Sequence, residues 1–228
     1  MLFQFILNGS DFKDTVVLFI IAMIVFFISL SAHEFAHAFV AHKMGDDTAK
    51  AMGRMTLNPL SHIDSQGLIC FLLFGIGWAK PVPINPLNFK KYRTGIRLVS
   101  IAGVVMNFIL GLIASIILVI CISCGLMVYS WFYYIGILLE YFMLINGLLF
   151  MFNIIPIFPL DGFNFLCTFF KSENSYVRFN YKNGRMLLLG ILLISFVIEY
   201  ITNTDILSIY LNLIYNQVYL RIILLGVI

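Results

Sequence analysis

Charged side chains are scarce in this sequence: Lys, Arg, Asp and Glu make up 11% of it, against about 25% in soluble domains. With 61% of residues hydrophobic, an ordinary soluble fold is excluded, and the apolar segments leave no room for a separate soluble domain. Residues 1–228 therefore read as a single integral-membrane unit. Long runs of one charge, low-complexity stretches and internal repeats are also missing. The net charge of +3 is too small to imply a nucleic-acid partner. Only four cysteines occur (Cys70, Cys121, Cys124 and Cys167), too few and too apolar in setting to make a disulfide framework. The first apolar stretch runs past signal-peptide length and carries the ionisable residues discussed below, so it is expected to be retained.

What is abundant is long apolar sequence. Four runs approach or exceed the ~20 residues needed to cross a bilayer. They are Thr15–His42, Leu98–Met127, Tyr133–Phe170 (interrupted by Pro156 and Pro159) and Met186–Ile201. A fifth, Ile206–Ile228, carries Asn212, Asn216, Gln217 and Arg221, and either spans or lies in the interface. The segment Gly67–Ala79 is apolar but too short to cross. With Pro81, Pro83 and Pro86 following, the region 67–88 is expected to be re-entrant and partly extended. The expected fold is thus an all-α multi-pass membrane protein, with a core over about 15–170 and C-terminal helices over about 186–228. Lys and Arg gather in 43–97 and 171–185, which the positive-inside rule places in the cytoplasm, with the N-terminus outside.

Within the first run, His33-Glu34-Phe35-Ala36-His37 reads H-E-x-x-H. On a helix, residues i and i+4 share a face, so both imidazoles can meet one metal ion with Glu34 beside them. Neutral imidazole suits zinc. The bland alternative is a polar face packed on another helix. It is weakened by the ~2.5–3.5 kcal/mol that a charged residue costs at mid-bilayer. His42 and His62 read as solvated or locally hydrogen-bonded side chains rather than ligands.

A second polar interruption, Asn153 to Gly162, breaks a helix with Pro156 and Pro159. Asp161 is a candidate metal ligand there; a helix N-cap explains it too, and the two roles can coexist. Counting supports convergence. His33 precedes Lys43 by ten residues, Asp161 precedes Lys171 by ten, and Asn107 follows Arg97 by ten. At 1.5 Å per residue all three lie about 15 Å from a cytoplasmic anchor. Glu140 and Glu199 fall nearer the opposite surface and read as solvated acids.

Together with Gly53-Arg54-Met55-Thr56-Leu57-Asn58-Pro59 and Gly77-Trp78-Ala79-Lys80-Pro81-Val82-Pro83, these motifs resemble the site-2 protease family. That family comprises intramembrane zinc metallopeptidases (peptidase family M50), and the closest likeness is to its short prokaryotic branch without PDZ or CBS domains. The resemblance implies one zinc ion held by His33, His37 and Asp161, with Glu34 as catalytic base. It also implies a three-helix core and hydrolysis of a peptide bond within the membrane. Asn107 and Asn153 are candidates for oxyanion stabilisation or for pairing with substrate backbone. One departure from the family pattern is Val104, where Gly-Pro-x-x-Asn would place proline.

The expected partner is a membrane-protein or peptide substrate with a transmembrane segment, met in the lipid bilayer. Two other readings remain open on sequence alone. A buried His, Asp and Asn set could form the path of a metal transporter, or the fold could be kept as an inactive scaffold.

Overall fold

The computed structural model describes residues 12–74, 77–126, 129–171, 173–202 and 206–227. The chain is an all-α, multi-pass membrane protein. Helix α1 (Phe12–Met44) contains neither glycine nor proline over 33 residues, so nothing interrupts its hydrogen-bond ladder. It stops at Gly45, where Asp46 N–H donates to the Ala41 carbonyl (2.9 Å) and Gly45 N–H to that of His42 (3.0 Å). That pairing is a Schellman motif, with the glycine supplying the positive φ.

A short helix α2 (Thr48–Ala51) and a 3₁₀ turn (Pro59–Ser61) lead to α3 (Ser65–Phe74). An extended stretch follows, tied back by an isolated antiparallel bridge between Ile63 and Ala79. No β-strand forms among the described residues. The region 67–88 is therefore a helix, an extended stretch and a 3₁₀ turn (Pro86–Asn88), with residues 75 and 76 outside the described set.

Helix α4 (Tyr92–Ser123) and helix α5 (Ser130–Asn153) complete three long helices, with α4 packed against both α1 and α5. The buried positions of α4 (Gly95, Val99, Ser100, Gly103, Val104, Asn107, Gly111 and onward) recur every three or four residues. This is the stripe of a helix with one face inward, and its small residues let the backbones approach closely. Val104 leaves α4 unbroken where a proline would have removed a ladder bond.

The third apolar run is broken where Pro156 and Pro159 predict a break: α5 ends at Asn153, and a short helix α6 (Asp161–Cys167) begins after it. One boundary differs from the sequence expectation. The fourth helix, α7 (Ser175–Thr202), begins before the apolar run does. Arg178, Lys182 and Arg185 thus lie on its first turns instead of in a loop. Hydropathy misses those turns because they are polar.

Among the described residues, four helices are long and apolar enough to cross a membrane. The C-terminal segment forms α8 (Ile206–Leu211), a π turn (Tyr215–Tyr219) and α9 (Leu220–Val227). It does not provide a fifth crossing helix among the described residues: its apolar part, Ile209–Leu225, is too short. It packs on α4, with Tyr219 fully buried against Gly111 and its hydroxyl donating to the Phe108 carbonyl (3.1 Å).

Candidate metal centre

His33 and His37 lie one turn apart on α1, and Asp161 opens α6 on the far side of the helix break. The structure brings them together. Asp161 Oδ2 is 3.2 Å from His33 Nε2 and 3.1 Å from His37 Nε2, and the two Nε2 atoms are 3.0 Å apart. All the candidate ligand atoms lie within 4.8 Å of one another, so the group could hold a metal ion.

The proton positions follow from the outer partners. His37 Nδ1 lies 2.7 Å from the Val99 carbonyl oxygen, which can only accept, so Nδ1 carries the hydrogen. His33 Nδ1 lies 2.6 Å from Asn107 Oδ1. The Asn107 amide nitrogen faces Asn146 Oδ1 (2.9 Å) and the Ser29 carbonyl (3.4 Å), so its oxygen is the atom turned to His33, and His33 donates as well. With both neutral imidazoles protonated at Nδ1, the Nε2 lone pairs point at each other and at a carboxylate. Asp161 Oδ2 is buried with no hydrogen-bond partner. Three converging acceptors without a proton between them suit a cation, and the His₂–carboxylate donor set suits zinc. Histidine ligands whose other nitrogen donates to a carbonyl or carboxamide oxygen are the usual pattern of metal sites.

Local packing explains why these residues meet. A Cβ on Gly103 would fall 2.6 Å from His33 Nε2 and closer still to His37 Nε2, so only glycine lets α4 lie against both rings. A Cβ on Gly162 would run into the Ile154 carbonyl, so glycine is also what lets α6 begin directly beneath the end of α5. The break itself is held from outside. Asn180 Oδ1 accepts from Phe158 N–H (3.3 Å), and the Tyr176 hydroxyl donates to the Pro156 carbonyl.

Glu34 points into a cavity of about 980 Å³ lined also by His33, His37, Asp161, Asn153 and the extended segment 77–86. One of its carboxylate oxygens, Oε2, accepts the backbone N–H of Val82 (2.8 Å).

The other sequence candidates separate. Asn153 lines the cavity while its amide donates back to the Leu149 carbonyl (3.0 Å). Asn107 does not reach the cavity wall: it is 0% exposed, behind His33. Its carboxamide is committed to His33, Asn146 and Ser29, which corrects the expectation that it meets substrate. His62 is buried, with Nε2 facing the Thr56 carbonyl (2.9 Å) and its own carbonyl accepting from Lys80 N–H (2.8 Å). It is a loop pin, locally bonded as expected but not solvated. His42 pairs with Asp47, and Glu140 is exposed. Asn146 and Ser29 escaped the sequence reading. A polar residue in the third apolar run, seven positions before Asn153, was a usable signal.

The chain is similar to three proteins named as zinc metalloproteases. "Putative zinc metalloprotease YwhC" of Bacillus subtilis is 43% identical over 145 residues, covering 63% of this chain and 66% of that protein. "Putative zinc metalloprotease Rip2" of Mycolicibacterium smegmatis is 28% identical, covering 78% of this chain and 68% of that protein. Zinc metalloprotease MJ0392 of Methanocaldococcus jannaschii is 25% identical, covering 78% and 42% respectively. The chain thus spans just under two thirds of the Bacillus protein and less than half of the archaeal one. No family model and no solved structure matches it.

Proposed function

We propose that this chain is an intramembrane zinc metalloendopeptidase of the site-2 protease type. It would cut a peptide bond within or next to a transmembrane segment of another membrane protein. The observation that carries the reading is the convergence of His33 Nε2, His37 Nε2 and Asp161 Oδ2 beside the carboxylate of Glu34, on helices long enough to cross a bilayer. Similarity to proteins named zinc metalloproteases supports the same chemistry.

His33, His37 and Asp161 would hold one zinc ion, which when bound supplies Lewis-acid polarisation and makes water acidic enough to ionise near neutral pH. Glu34 takes a proton from the attacking water and passes it to the leaving nitrogen as the C–N bond breaks. Asn153, at the cavity wall, is placed to donate to the carbonyl oxygen of the substrate.

The substrate must be extended to be cut, since a helical peptide uses its own carbonyls. The segment 77–86 offers an edge along the cavity. Pro81 and Pro83 carry no N–H, and those of Lys80 and Val82 are already engaged. A strand laid along 80–83 would therefore be held by its own N–H groups donating to carbonyls of this segment. Of these, the carbonyls of Lys80 (2.8 Å) and Pro81 (3.4 Å) already accept from the Arg54 guanidinium. The positive-inside pattern puts the site nearer the cytoplasmic face, with the N-terminus outside.

The test is Glu34→Gln in the purified full chain, with cleavage of membrane-anchored candidate proteins and bound zinc measured together. Loss of cleavage with zinc retained is expected. A variant that keeps its zinc and still cleaves at the wild-type rate would overturn the mechanism.

A further inference from the structure

Asn146 stands about two turns before the end of α5, fully buried, on a helix that supplies none of the candidate metal ligands. Its amide nitrogen donates to the Phe142 carbonyl (2.9 Å) and to Ser29 Oγ (2.8 Å). A backbone carbonyl can only accept, so the NH₂ end of Asn146 has one possible orientation, and its Oδ1 must face Asn107. Asn107 then turns its own NH₂ to Asn146 (2.9 Å) and its Oδ1 to His33 (2.6 Å). The orientation set by a carbonyl of α5 is handed through two carboxamides to a ring on α1.

A flip of Asn107 would reverse the outcome. Its NH₂ would face His33 Nδ1, which must then accept, and the imidazole hydrogen would move to Nε2. That atom would lose the lone pair it presents to His37 and Asp161. Besides Asn146, the Asn107 amide has among the described residues only the Ser29 carbonyl at 3.4 Å, too long to be a strong restraint. In an apolar surround the polar groups have no water to turn to.

We propose that Asn146 is a positioning residue for the metal centre: through Asn107 it fixes the Nδ1–H tautomer of His33, and so the affinity of the site for a divalent metal. This rests on the zinc reading above, although Asn146 itself touches neither metal nor substrate.

The test is zinc affinity of the purified, detergent-solubilised full chain, read by competition with a chromophoric chelator. Asn146→Leu is expected to weaken zinc binding about tenfold or more, the usual range for loss of an outer-shell partner. Asn146→Asp, neutral when buried, still accepts from Asn107 and donates to Ser29, so it should stay within about threefold of wild type. In an Asn107→Ala background, Asn146→Leu should have no further effect, because the coupling runs through Asn107.

Wild-type affinity in Asn146→Leu, equal losses in the Leu and Asp variants, or an undiminished effect in the Asn107→Ala background would each overturn the proposal. Should Asn146→Leu not fold, Ser29→Ala takes its place. It removes one acceptor from the Asn146 amide at little change in volume, and is expected to give a smaller loss that vanishes in the Asn107→Ala background. Persistence of that loss there overturns the proposal. A wild-type chain that takes up no zinc would sink both this inference and the zinc reading, whereas tight wild-type binding indifferent to Asn146 would sink this inference alone.

Discussion

Glu34 Oε2 accepts the backbone N–H of Val82 at 2.8 Å, joining the acid of the H-E-x-x-H helix to the extended segment that walls the cavity. The bond fixes one carboxylate oxygen and leaves the other to handle protons. Val82→Pro removes the donor with little change in bulk. General acid–base catalysis contributes about 10²–10⁴-fold, so losing the bond that orients the base should slow cleavage about tenfold or more. Zinc content should stay at the wild-type level. Unchanged turnover in a correctly folded Val82→Pro chain would show that Glu34 does not depend on this bond.

Gly103 of α4 faces both imidazoles, and a Cβ there would come within 2.6 Å of each ring. Gly103→Ala would press a methyl group into both rings, and overpacking of this kind typically costs 1–3 kcal/mol, roughly a tenfold effect or more on whatever equilibrium bears it. The strain falls on His33 and His37, so zinc affinity should drop at least about tenfold while the helices still form. Metal analysis together with circular dichroism would check this. A Gly103→Ala chain with wild-type zinc affinity would mean that α4 can move aside.

Asp46 is buried just past the end of α1. It accepts from Thr48, from Asn85 N–H (2.7 Å) and from the Asn88 amide (2.8 Å), stapling the 3₁₀ turn Pro86–Asn88 to the helix end. Burial pushes its carboxyl pKa up, but these donors outweigh burial and hold it below the usual carboxylate range. A depressed pKa contributes stability that is present above the unfolded value of about 3.9 and is lost as pH falls through the folded one. Wild type should therefore be more stable than Asp46→Ala at pH 6, and the gap should narrow as pH drops below about 4. Thermal melts in detergent at several pH values would measure it. A gap independent of pH would assign the effect to packing.

Much of the site could be read from local pattern. His33 and His37 declare themselves by i, i+4 spacing, and the count of ten residues to a basic anchor put His33, Asn107 and Asp161 at one depth. The helix break at Pro156 and Pro159 was legible because proline acts locally. What sequence did not show is direction. Nothing in the spacing tells whether Asn107 faces the cavity or the back of His33; that depends on Asn146 and Ser29, which sit on two other helices. The start of α7 was hidden for a related reason: Ser175 to Arg185 is polar, and its helical state is supported by contacts with the 154–160 break.

Those contacts make the base of α7 a support for Asp161. Asn180 is buried, accepts the Phe158 N–H and donates to the Tyr176 carbonyl (3.2 Å). Gly184 lies directly against the Phe158 backbone, where a Cβ would come within 2.8 Å of its carbonyl oxygen. Asn180→Ala removes the acceptor of the part-buried Phe158 N–H, at a cost of about 1 kcal/mol. The segment bearing Asp161 should loosen while the His33–His37 pair stays in place. Zinc affinity should then fall toward that of Asp161→Ala, and Asn180→Ala should add little in an Asp161→Ala background. Equal losses from Asn180→Ala with and without Asp161 would instead mean that α7 supports the fold as a whole and not the carboxylate.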